Sequence, residues 1–123
     1  MPKTKTKTTT QAQKIQSLGF VQTPFGQAEV KITRYPAGGA LAVFLEHEFG
    51  EPLATFSVNL RPYGVTTAPE AFCAKTYAEN ADLVQPLLDS GWFEVTDKRA
   101  ESGFVVAPIW RLREAEKLLP MLH

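Results

Sequence analysis

The stretch Ala40–Leu60, ALAVFLEHEFGEPLATFSVNL, constrains the fold more than any other part of this chain. Side chains of a strand point to opposite faces with period two, and the apolar residues here keep that period on both sides of a short turn. On the first strand Ala42 and Phe44 share one face, and Leu41, Val43 and Leu45 share the other. On the second, Ala54, Phe56, Val58 and Leu60 alternate with Thr55, Ser57 and Asn59, which predicts one buried and one wet face. The turn holds Phe49, Gly50, Glu51 and Pro52: a glycine suited to positive φ and a proline with no N–H to give a ladder.

Punctuation divides the remainder. Gln11–Leu18 has helical spacing, with Ala12, Ile15 and Leu18 on one side and Gly19 as a stop. Phe20–Phe25 reads as extended, with a turn at Pro24–Phe25–Gly26. Gln27–Tyr35 reads as a strand with Ala28, Val30 and Ile32 facing in and Glu29, Lys31 and Thr33 facing out. Pro36, Gly38 and Gly39 end it, so it joins the hairpin as a meander. A loop over 61–68 leads to a short strand, Phe72–Tyr77. Asn80 has the chemistry of a helix N-cap, with Asp82 in the first turn and an apolar stripe of Leu83, Val84, Leu87 and Leu88 closed by Gly91. Pro86 requires that this helix start later than Asn80 or kink. Trp92–Thr96 and Gly103–Leu112 read as strands around a charged turn at 97–102, and Pro108 implies an edge position or a bulge. Arg113–Leu119 has helical composition, stopped by Pro120.

These elements predict an α+β domain over residues 11–123, preceded by a disordered basic tail over 1–10. The expected architecture is a mostly antiparallel sheet of five to six strands, packed with one central helix at about 80–90 and short terminal helices. Val30, Ile32, Val43, Phe56, Val58, Leu83, Leu87, Phe104 and Val106 form its expected core.

Charge is balanced in total but not in place. Residues 1–34 carry six Lys or Arg against one acid, and residues 35–123 carry seven against twelve. An acidic body argues against a nucleic-acid face, because phosphate binding is driven by Lys and Arg releasing counterions. The Lys-rich tail is the one segment suited to that role. One cysteine, Cys73, excludes an internal disulfide and a cysteine-rich zinc site. No apolar run follows the basic N-terminus, and none approaches the roughly 18 residues of a membrane span, so a soluble, cytoplasmic protein is expected.

Little in the chain points to catalysis. A nucleophile–base pair would need Cys73 beside His47, which the sequence does not place together, and His123 is the last residue. Glu46, His47 and Glu48 are consecutive, so on a strand the histidine points away from both acids, a poor chelate. No phosphate loop, nucleophile elbow or HExxH occurs. No catalytic residue, metal site or cofactor is therefore assigned, and the chain is read as a non-enzyme. The residues with most to offer a partner are Glu46, Glu48, Glu51, Glu79 and Asp82, within a wider acidic set that includes Asp89 and Glu94, together with Tyr63 and Tyr77. A solvated face and semi-buried packing are the plain readings of those two groups. Electrostatic steering onto a basic partner is the sharper one.

The second half also resembles a family. Asn59–Leu60, a Pro-and-Gly loop, Phe72–Lys75, Tyr77–Ala78–Glu79–Asn80, Leu83, Leu87, Gly91 and Ser102–Pro108 followed by Arg111–Leu112 are similar to an uncharacterised domain found on bacterial plasmids and other mobile elements. The resemblance is strongest over residues 59–112. It implies an accessory protein of a mobile element, a setting in which inhibitors of host defence such as anti-CRISPR and anti-restriction proteins are common. The expected function is thus non-catalytic binding to a protein partner, such as a defence nuclease complex, by an acidic surface that competes with nucleic acid. The alternative is a small nucleic-acid-binding accessory protein using the basic arm. A homodimer paired through the Pro108 strand or the hairpin edge is a further expectation.

Overall fold

A computed structural model describes residues 14–103 and 105–122. The tail at 1–10, the start of the 11–18 segment, Phe104 and His123 lie outside them. The fold is α+β, with eight antiparallel strands in two four-stranded sheets and two helical segments of 12 and 8 residues among the described residues. The expected single sheet of five to six strands is corrected to two.

The first sheet is a meander of β1 (Gln16–Thr23), β2 (Gly26–Arg34), β3 (Leu41–His47) and β4 (Pro52–Thr55), in that order. The second has the order β5 (Ser57–Val58), β6 (Ala71–Ala74), β8 (Val105–Leu112), β7 (Phe93–Ser102). The chain passes between the sheets at one residue. Phe56 donates its N–H to the Val43 carbonyl at 2.8 Å and accepts the Lys75 N–H at 2.7 Å, and its side chain is fully buried. Where β4 leaves β3, the Ser57 hydroxyl replaces the missing strand: its Oγ accepts the Val43 N–H at 2.9 Å and lies 2.7 Å from the Tyr35 hydroxyl. Ser57 is therefore buried, not on a wet face as the alternation suggested. A buried backbone N–H needs an acceptor, and here a side chain supplies it.

The core lies between the sheets. Val30, Ile32, Val43 and Leu45 from the first sheet meet Phe72, Phe93, Trp110 and Leu112 from the second, with Phe56 at the seam. Phe56 and Trp110 lie 5.0 Å apart and Phe72 and Phe93 5.7 Å apart in tilted and edge-on contacts, geometries that suit the ring quadrupoles. A smaller cluster, Leu60, Cys73, Ala100 and Ala107, fills the outer side of the second sheet, and Val58 packs against it half-buried. Val106 is half exposed on the far part of the β7–β8 hairpin, which removes it from the expected core.

Several local expectations change. Gln16–Leu18 is strand, not helix, because β1 pairs with β2 through an irregularity between Ser17 and Gly19 that breaks period two. Gly19 has φ +131°, and a Cβ there would meet the Trp92 ring at 2.9 Å. Thr33 keeps its place on the face of β2 opposite Ile32 but is buried there, with its hydroxyl donating to the Lys14 carbonyl at 2.6 Å. Residues 97–102 belong to β7 and are not a turn; the chain reverses at Gly103, φ +61°. Pro108 lies opposite Arg99, where the β7 register shifts, so it sits beside a bulge in a strand flanked on both sides. The Pro108 strand is therefore not a free edge for dimer pairing. The helix begins as a 3-10 turn, Ala78–Leu83, and continues as α1, Val84–Asp89, which places Pro86 in the first turn of the α-helical part. Gly91 closes it at φ +82°. The C-terminal helix, α2 (Ala115–Leu118), runs on through Pro120 as a 3-10 turn, Leu119–Leu122. No described helix is long and apolar enough to cross a membrane.

Candidate interaction surface

Register gathers much of the acidic set at one end of the first sheet. Ala28 pairs with His47, so the β1–β2 turn at Pro24–Phe25 and the β3–β4 turn at Glu48–Glu51 project from the same end. The second turn is closed by Gly50 N–H to the His47 carbonyl at 2.8 Å and His47 N–H to the Glu51 carbonyl at 2.7 Å. Its tip presents Phe49, 87% exposed, between Glu48 and Glu51. Phe25, 48% exposed, lies in a shallow depression with Leu53, Ala54, Glu79 and Leu83.

The helical segment completes this end. Asn80 is 1% exposed and is not an N-cap: its Nδ2 donates to the Thr55 carbonyl at 2.8 Å and to the Lys75 carbonyl at 3.0 Å. One amide thus ties the 3-10 turn to β4 and to the chain leaving β6. The turn is entered through Ala78 at φ +55°, a left-handed conformation that costs a non-glycine residue free energy. Beyond it, Asp82, Gln85 and Asp89 line an open groove of about 590 Å³ against Val21, Gln22 and Pro24 of the first hairpin. Gln85 Nε2 donates to Asp89 Oδ1 at 2.8 Å.

Not all the predicted carboxylates remain available. Glu46 lies on the outer face of the first sheet, ion-paired with Lys31 at 2.8 Å, and this hydrogen bond raises the lysine pKa. Glu79 pairs with Lys75 at 2.9 Å; the shared hydrogen bond raises the lysine pKa and lowers that of the acid. Lys75 also sits 5.9 Å above the Tyr77 ring, which draws Tyr77 into the same cluster. Glu94 bonds Arg111 on the neighbouring strand. Glu48, Glu51, Asp82 and Asp89 have no ion-pair partner among the described residues. Tyr63 belongs to none of this: it is 73% exposed and lines another groove, with Leu60, Ser102 and Val105. Phe25 and Phe49 were not singled out in the sequence, although a large apolar residue at a turn tip has no core to enter and marks itself there.

The candidate catalytic pair is not assembled. Cys73 is buried among Leu60, Ala100, Ala107 and Ile109 of the second sheet, and burial raises its thiol pKa, the opposite of nucleophile activation. His47 lies on the first sheet, at the end of β3. Trp110 is a core residue. Among the described residues no three of His, Cys, Asp or Glu gather as a metal would require. No family model, curated protein or solved structure matches the chain.

Proposed function

We propose that this protein is a non-catalytic binding protein that engages a basic surface of a protein partner with the acidic end of its first sheet. The observation that carries this reading is the coincidence of exposed Phe25 and Phe49 with Glu48, Glu51, Asp82 and Asp89, four carboxylates without basic partners among the described residues. Exposed aromatics supply the contact area that dominates protein interfaces, and unpaired acids supply steering and selectivity for a positive partner. A partner face with that charge is one that also attracts nucleic-acid phosphate, so the two ligands exclude each other on it. The setting, a mobile element whose accessory protein restrains a nucleic-acid-dependent host defence complex, rests on the resemblance of residues 59–112.

The test is capture from a host lysate on immobilised protein, with elution by DNA. The captured protein is expected to bind nucleic acid and to release it as this protein is added. The double reversal Asp82→Lys, Asp89→Lys is expected to weaken capture at least about tenfold, with Glu116→Lys on the other helix as an unaffected control. No specific capture, capture indifferent to the double reversal, or a partner that holds DNA and this protein together would each overturn the reading.

A further inference from the structure

On the outer side of the second sheet, the segment between β5 and β6 stands off strands β7 and β8 and leaves a cavity of about 250 Å³. It shares no residue with the acidic end. Its floor is Ala71 and Ile109, and its walls carry Thr66, Thr67, Glu70, Thr96, Lys98 and Arg111. The bulge in β7 builds one wall. The Thr96 hydroxyl donates to the Ile109 carbonyl at 2.6 Å and accepts the Lys98 N–H at 3.2 Å, so the bulge is pinned on both sides and Lys98 is set at the cavity. Bulges commonly serve to re-aim a side chain in this way. Lys98 has no ion pair among the described residues, and Arg111 is held by Glu94 through Nη1, which leaves further guanidinium donors.

Two cations from adjacent strands above a small apolar floor form the donor set of an oxyanion site, in which charge-assisted hydrogen bonds do most of the recognition, while the Thr67 and Thr96 hydroxyls already donate to the Ala71 and Ile109 carbonyls. At roughly 30 Å³ per water the cavity has room for about eight waters. Glu70 in the same wall disfavours a ligand that is anionic throughout and suits one carrying a hydrogen-bond donor as well. We propose that this cavity binds a small ligand with one oxyanion group, a carboxylate or a phosphate, held by Lys98 and Arg111, with a donor on the ligand facing Glu70.

Amide correlation spectra of the full chain, titrated separately with inorganic phosphate and with acetate to about 20 mM at ionic strength matched with chloride, test this. Saturable shifts are expected at Thr66, Thr67, Thr96 and Lys98, and the anion that saturates first identifies the source of the oxyanion. Lys98→Gln, at an exposed position, should weaken binding at least about tenfold. Glu94→Gln, which releases the Arg111 guanidinium, should tighten it severalfold, whereas Glu116→Gln, with the same change in net charge, should not. Absence of saturation with both anions, shifts unchanged by Lys98→Gln, or equal effects of the two glutamate variants would each refute the site. None of these outcomes bears on the acidic end.

Discussion

Asn80 gives the sharpest test of how the helix is held. As an N-cap it would be replaceable by serine or aspartate at little cost, and alanine would cost about 1 kcal/mol. The structure instead makes it a buried clamp whose Nδ2 serves two carbonyls, Thr55 at 2.8 Å and Lys75 at 3.0 Å, while its Oδ1 is buried without a partner among the described residues. In Asn80→Ala two hydrogen bonds of about 1 kcal/mol each are lost and two acceptors are left poorly solvated, offset in part by removal of the unsatisfied Oδ1; the sum is about 2–4 kcal/mol. Asn80→Asp should be no better than alanine, because an ionised carboxylate has no N–H and would face both carbonyls. The sign of its pH dependence follows. The introduced carboxyl has a folded pKa above its unfolded value of about 3.9, so protonation favours the fold and the deficit shrinks as pH falls through the folded value. Urea unfolding of the three proteins at neutral and mildly acidic pH, with slopes checked for constancy, measures all of this. An aspartate variant as stable as the parent at pH 7, or an alanine variant within about 1 kcal/mol of it, would refute the clamp and restore the cap.

Other outcomes follow from single observations. Ala78→Gly should stabilise by about 0.5–1 kcal/mol, since relief of the left-handed strain at φ +55° exceeds the added freedom of glycine in the unfolded chain; a fall in thermal midpoint would contradict this. Burial raises the pKa of both the Cys73 thiol and the Tyr35 phenol. Both groups are neutral when protonated, so the stability they contribute is fully present below their unfolded values and is lost as pH rises through the folded ones. Urea midpoints should decline from about pH 9 upward, and Tyr35→Phe should flatten the upper part of that decline. A thiol reagent should modify Cys73 in the native protein only as fast as the second sheet opens, so the rate should rise with denaturant; rapid native labelling would place the sulfur at the surface.

The hairpin was legible because period two is a local signal, and β3 and the Gly50 turn lie where it put them. The change of sheet was not. Ala54, Phe56, Val58 and Leu60 alternate without a break in the sequence, but the pairing partner changes from β3 to β6 and Val58 and Leu60 join a different cluster from Phe56, which are non-local facts. Charge misled at 97–102, where an edge strand wet on its open side and broken by a bulge tolerates the composition of a turn. Ile15 and Leu18 share helical spacing, but the irregularity at Ser17–Gly19 makes a strand look non-alternating. Asparagine caps helices and also bridges buried carbonyls, so residue type at position 80 does not separate the two roles; burial does. Of the candidate surface, the excess of acid was readable. Which acids stay unpaired was not, because Lys31 meets Glu46 only through the β2–β3 register.

That sorting of charge matters more for recognition than for stability. Ion pairs as exposed as Lys75–Glu79 contribute little to folding, since solvent screens them and the side chains lose freedom. Their larger effect is to set Lys31 against Glu46 and Lys75 against Glu79, so that these two acids add little to the negative potential. What remains at the end of the first sheet is Glu48 and Glu51 beside Phe49, and Asp82 and Asp89 along the groove. Elements distant in sequence, two hairpin turns and a helix, therefore present acids of one sign with apolar tips among them. Local structure there is built by other groups: the Thr23 hydroxyl donates to the Gly26 carbonyl and accepts the Phe25 N–H in the first turn, Gly50 takes the positive φ of the second, and the helix packs through Leu83 and Leu87. A surface whose charge the fold does not use is one free to be shaped by a partner, and the salt dependence of any complex it forms should be steep where Asp82 and Asp89 are intact and shallow where they are reversed.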